Sequence, residues 1–245
     1  MDPRRAGIER RLAGVRRILA VTGGKGGIGK SSVAAILALV LAEKGVRVGL
    51  LDLDVTAPTS HVILGAGDCV PTEEFGLQPP DVHGIRFMSV SQFLGRHPAP
   101  LRGPDVTNVI LELLAVTCWN TLDVLVIDMP PGLGDVSLDL VRLLGRAEYL
   151  VVAGRSPVVV ETVRRMLHFL REMRVPICGV VENMVRAPGA LVEQLARQYD
   201  MDYLGALPYD PHLDDANGCP ARIRRTALAA ALRTVSEDLR AAPRI

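Results

Sequence analysis

The stretch VTGGKGGIGKSS, Val21 to Ser32, limits the folds open to this chain more than any other. It carries five glycines and two lysines directly after the apolar run Ile18-Leu19-Ala20. Within it, Gly24 to Ser31 fits G-x-x-x-x-G-K-[ST], between an expected strand and an expected helix. Glycines let backbone N–H groups turn inward around phosphate oxygens, and a helix starting near Lys30 aims its positive dipole end at the same anion. The spacing therefore predicts a phosphate cradle made by Gly24, Lys25, Gly26, Gly27, Ile28, Gly29, Lys30, Ser31 and Ser32. Lys30 is expected to bridge β- and γ-phosphate oxygens, and the Ser31 hydroxyl suits Mg²⁺, a hard cation that keeps room for phosphate oxygens. A glycine-rich turn that holds no ligand is the plain alternative.

The surrounding pattern agrees. Short Val/Ile/Leu runs at Ile18 to Val21, Val46 to Leu51, Ile85 to Val90, Val124 to Ile127, Tyr149 to Val152 and Ile177 to Val181 read as strands. Most are apolar throughout rather than alternating, as strands covered on both faces are. Helical-period segments separate or follow them: Lys30 to Lys44, Pro104 to Cys118, Val136 to Leu144, Val159 to Met173, Leu191 to Tyr199 and a final Arg222 to Leu239. Strand and helix in alternation predict an α/β fold with a doubly wound, mostly parallel sheet and helices on both faces. Gly45 and Gly145 stand where left-handed helix caps are expected. Residues 18–245 are expected to form one domain.

The first seventeen residues carry six arginines against Asp2 and Glu9 and read as a solvated, partly frayed tail. A net charge of +1 gives no footprint for nucleic acid. No apolar run is long enough to span a bilayer, so a cytoplasmic location without a membrane span is expected. Cysteines 69, 118, 178 and 219 are scattered, with no C-x-x-C pair, and read as buried thiols.

Two acidic segments complete the candidate site. LDLDVTAPTS places Asp52 and Asp54 at a strand's C-terminal end, on the same side if the backbone stays extended. LDVLVIDMPPGLGD ends an apolar strand in Asp128, suited to holding Mg²⁺ directly or through water; the alternative is a strand-end cap. Gly132 and Gly134 would let the next segment, with Asp135 at its far end, respond to a γ-phosphate.

Lys25 is the odd residue, because phosphate binding does not require it. The chain has 28 basic residues and only three lysines, so a second compact ammonium here is chemically specified. K-G-G-x-G-K-[ST] resembles the deviant Walker A family that includes the MinD and ParA ATPases. That resemblance implies ATP as ligand, a homodimer closing around two nucleotides, Lys25 acting across the interface during phosphoryl transfer, and Asp54 positioning the attacking water. Asp54 as a turn-capping residue stays open. Asp52 is expected to support the Mg²⁺ shell, with Ser31 and Asp128, or the loop.

Pro130 to Asp135, PPGLGD, narrows the likeness to Mrp-type (ApbC-like) iron–sulfur carrier ATPases, with Leu133 in place of a threonine. Arg102-Gly103-Pro104, Trp119, Val181-Glu182-Asn183-Met184, Leu207 to Pro211 and Gly218-Cys219-Pro220 match that family in order. By analogy, Asn183 would contact the adenine edge, with Pro208, Tyr209 and Asp210 flanking the base; Asn183 as a strand-end cap is the alternative. The family's C-P-x-C after E-N-M is replaced by VRAPGALVEQ, which leaves iron–sulfur cluster binding open. Slow ATP hydrolysis serving an iron–sulfur assembly or client protein is the function this resemblance implies. The alternative is a MinD- or ParA-like positioning ATPase working through a membrane, nucleoid or protein partner.

Overall fold

The computed structural model describes residues 4–94 and 103–241; Arg102 of the R-G-P match lies outside them. In chain order the elements are α1 (Arg4–Leu12), β1 (Val15–Gly23), α2 (Lys30–Glu43), β2 (Val48–Asp52), α3 (Ser60–Leu64), β3 (Thr72–Glu73), β4 (Leu77–Gln78), β5 (Asp81–Val82), β6 (Ile85–Ser89), α4 (Ser91–Leu94) and α5 (Gly103–Val116). There follow β7 (Leu122–Asp128), α6 (Asp135–Leu143), β8 (Glu148–Ala153), α7 (Pro157–Glu172), β9 (Ile177–Val185), α8 (Leu191–Gln198), β10 (Tyr203–Pro208), α9 (Leu213–Ala216), α10 (Pro220–Ile223) and α11 (Ala227–Ala241).

Eight strands form one sheet in the order β10-β9-β8-β1-β7-β2-β6-β5, parallel except where β5 turns back on β6; β3 and β4 pair separately. Both faces are covered, which is why most of the central strands carry apolar runs rather than alternating patterns. In β1, Ile18 and Ala20 pack toward α1, α5, α6 and α7, whereas Leu19 and Val21 pack toward α2, α3 and α11. α2 is enclosed along its length: Val33 through Leu41 are all buried, so this helix is fixed by packing on every side.

Three sequence expectations change. Residues 4–17 are not a tail: α1 buries Ile8 and Leu12 against α5, and β1 begins at Val15. Three arginines of that segment act as ties, Arg4 donating to Asn108 Oδ1 of α5 at 3.2 Å. Arg11 reaches the Phe75 carbonyl at 2.6 Å and the Cys118 sulfur at 2.8 Å, and Arg17 pairs with Glu148 at 2.6 Å. Gly45 has the left-handed backbone expected of a cap (φ 73°), but Gly145 does not; Leu144 closes α6 instead, at φ −92°. The last helical segment is two helices, because the Thr226 hydroxyl accepts the Ala229 N–H and starts α11 anew.

Candidate functional site

Register places the acids. β7 lies between β1 and β2, so Asp128 is level with Val21 on one side and Asp52 on the other. Both carboxylates are fully buried at the C-terminal end of the sheet, where the loop from Gly24 to Gly29 leaves β1. That loop needs glycine for two separate reasons. A side chain on Gly24 would strike the Thr162 backbone, and Gly29 has φ 78° with the Asn183 amide against it.

Lys30, the first residue of α2, is buried and forms an ion pair with Asp128. Burial pushes the Asp128 carboxyl above the usual carboxylate range, and the Lys30 ammonium opposes that shift. Asp128 Oδ2 has no hydrogen-bond partner. A buried carboxylate oxygen without a donor, beside a serine hydroxyl at the start of α2, is the donor set a small hard cation takes.

Asp52 is raised to about 7, first by burial and then by the charge of Asp128. Its Oδ1 accepts the Asp54 N–H at 3.0 Å and its Oδ2 the Ser60 N–H at 3.2 Å. Of its two expected roles the geometry therefore favours holding the loop over ligating metal. The strand ends at Asp52, Leu53 turns into the core, and the extended backbone that would align Asp54 with Asp52 does not continue. Asp54 instead caps a turn, its Oδ1 accepting from the Thr56 hydroxyl at 2.9 Å and the Ala57 N–H at 3.2 Å, and it still borders the cleft.

The cleft has a volume of about 380 Å³. Lys25, Gly26, Gly27, Gly29, Lys30, Ser31, Ser32 and Asp54 line it together, whereas Gly24 and Ile28 of the expected cradle do not. Lys25 is exposed on its rim and makes no hydrogen bond or ion pair among the described residues. Pro131 of the PPGLGD run also lines it, as do Thr56 and Thr59, which the sequence did not single out; they lie two and five residues after Asp54, and that proximity was the available signal.

The expected base-binding residues divide. Asn183 donates to the Ile28 carbonyl at 2.8 Å, so its amide braces the loop. Tyr209, half exposed, stacks under the Arg186 guanidinium at 3.7 Å, and its N–H bonds the Val185 carbonyl. Asp210 does not line the cleft: its oxygens accept from His212 N–H at 2.9 Å and Ala227 N–H at 2.7 Å, serving the start of α11.

The segment that replaces C-P-x-C is held by Arg155. Its guanidinium pairs with buried Glu182 at 2.9 Å and donates to the carbonyls of Ala187 and Pro188. Cys178 lies inside β9, its thiol pushed up to about 12 by burial; Cys118 is buried, while Cys69 and Cys219 are half-buried, which corrects the expectation of four buried thiols. Among the described residues no group of three or more His, Cys, Asp or Glu side chains is placed to hold a metal.

Residues 14–239 match the family profile described as ParA: NUBPL iron-transfer P-loop NTPase. The chain belongs to this family. It is 36% identical over 234 residues to an iron-sulfur cluster carrier protein of Pseudomonas fragi, covering 86% of this chain and 80% of that one. A carrier protein of the same description from Aquifex aeolicus is 34% identical over 221 residues, covering 83% of this chain but 60% of the relative. Among solved structures, the nucleotide-binding protein in complex with ADP from Archaeoglobus fulgidus superposes with a TM-score of 0.73 at 26% identity, over 95% of this chain and 93% of that one. The cell division ATPase MinD of Pyrococcus furiosus gives 0.70 at 20% identity, over 92% and 99%, and shares the fold. The eight-stranded sheet is thus that of a P-loop NTPase of the MinD and ParA type. No helix among the described residues is long and apolar enough to cross a membrane.

Proposed function

We propose that this chain binds ATP with Mg²⁺, hydrolyses it slowly, and works as a homodimeric switch in the cytoplasm for an iron–sulfur assembly or client protein. The observation that carries the proposal is the contrast between the two lysines of one loop. Lys30 is buried against Asp128, committed to the phosphates and the site's charge balance. Lys25, on the cleft rim with no partner of its own among the described residues, has an ammonium to offer to a γ-phosphate across an interface.

Ser31 and Asp128 Oδ2 would hold Mg²⁺, with Asp52 securing the adjoining loop. Bound there, the cation would neutralise charge on the β- and γ-phosphate oxygens. Asp54 borders the same space and is the group to orient a water, although its turn-capping bonds must loosen for that. The loop amides bind and Lys30 neutralises.

A positioning switch that carries no cluster is the second reading, favoured by the cysteine-free loop clamped under Arg155. Anaerobic reconstitution with iron and sulfide, followed by metal analysis and absorbance, separates the two when run beside ATP-dependent sedimentation with lipid vesicles or DNA. Iron and sulfide retained by the dimer support cluster carriage; ATP-dependent co-sedimentation without retained iron supports positioning. Absence of ATP binding overturns both.

A further inference from the structure

A second cavity of about 380 Å³ opens at the other end of β1 from the phosphate loop. It lies where β1 begins, between α1 and the end of α6. Its floor is aliphatic: Ile8, Leu12, Ile18 and Leu144, each nearly or fully buried. Its charged lining is Arg5, Glu9, Arg142 and Arg146. We propose that this cavity is a binding site for a small amphipathic anion, an acidic headgroup on an aliphatic body.

The charge count selects the headgroup. Arg146 is spent on the fold, donating to the backbone carbonyls of Leu12 and Val15. Arg5 and Arg142 are exposed and make no hydrogen bond or ion pair among the described residues, and neither does Glu9. Arg146 keeps its charge while its donors are engaged, so three guanidinium groups against one carboxylate leave an excess of two positive charges, which calls for an anion held by the free donors of Arg5 and Arg142. A guanidinium fork takes a carboxylate in two parallel bonds, and a charge seated beside an apolar floor must be paired in this way to be tolerated. The volume is that of ordinary small-ligand sites, which are mostly apolar with a few placed polar groups.

The cavity's position gives such a ligand a route to the rest of the protein. Arg142 and Leu143 stand in the last turn of α6, and the first turn of the same helix is tied to the Pro130 to Gly134 segment by Ser137 Oγ donating to the Gly132 carbonyl at 2.9 Å.

Titration calorimetry of the full chain with sodium octanoate below its micelle concentration tests the proposal. Saturable binding at one site per chain is expected. Arg5→Ala/Arg142→Ala should weaken it at least tenfold while leaving ATP titration unchanged, because neither arginine lines the nucleotide cleft. Octanol, which lacks the charge, and acetate, which lacks the body, should bind at least tenfold more weakly. The proposal is overturned if octanoate gives no saturable heat, if the double variant binds it as tightly as the parent, or if octanol matches it. An unchanged ATP titration alongside any of these would leave the nucleotide reading intact.

Discussion

The Asn183 side-chain amide donates to the Ile28 carbonyl at 2.8 Å, so the end of β9 holds the phosphate loop from above. A hydrogen bond of this kind contributes about 0.5–1.5 kcal/mol net, or up to roughly tenfold in an equilibrium. Asn183→Ala is therefore expected to weaken ATP and GTP binding to a similar degree, up to about tenfold, measured by fluorescence titration. A loss confined to ATP would assign the amide to the base instead.

Lys30→Ala should abolish nucleotide binding and also damage the fold. It leaves Asp128 as a buried charge without a partner, a change that costs about 3–5 kcal/mol in urea unfolding. A variant as stable as the parent would mean that Asp128 is held protonated and the ion pair carries little.

Lys25→Ala should behave in the opposite way. The side chain is exposed and unpaired among the described residues, so stability should stay within about 0.5 kcal/mol. ATP should still bind, while phosphate release falls by about 10²–10³, the loss seen when one transition-state donor is removed. Unchanged turnover would remove Lys25 from the chemistry.

Asp54→Asn keeps an oxygen for the Thr56 and Ala57 donors and should fold normally, yet it cannot take a proton from water. The expected result is an ATP-trapped dimer on gel filtration. A monomer at saturating ATP would contradict the dimeric switch.

Asp52 sets a pH dependence. Its carboxyl titrates near 7 in the fold against 3.8 when free, so the folded chain keeps a proton that the unfolded chain has already lost. Its contribution to stability is complete below about pH 4 and is lost as pH rises through about 7. Carboxyl ¹³C shifts in nucleotide-free, magnesium-free protein should show a midpoint near 7 for this residue; a midpoint below 5 would rule out the burial argument.

What could be read without coordinates was whatever local pattern decides. The strand-loop-helix at Val21 to Ser32 and the acid closing β7 were both legible, because backbone sterics and strand-end placement constrain them residue by residue. The helix α1 was not, since its apolar seam is Ile8 and Leu12 alone among arginines, and what orders it is distant: α5, the Phe75 carbonyl and Cys118. The strand β10 was missed because Gly205, at φ 122°, interrupts a short run whose pairing with β9 is irregular. Asp54 and Asp210 share a lesson. A carboxylate's partners two or more residues away are fixed by how the chain bends after the strand, and the residues themselves do not specify that bend.

The all-round enclosure of α2 bears on how nucleotide state can be signalled. Amides of Val33 to Leu41 should be among the slowest to exchange with deuterated water, whether or not nucleotide is bound, because only global opening reaches them. A helix so deeply anchored cannot serve as the messenger, and news of the phosphates must travel outward through the chain on either side of the cleft, from Leu53 to Ser60 and from Pro130 to Gly134.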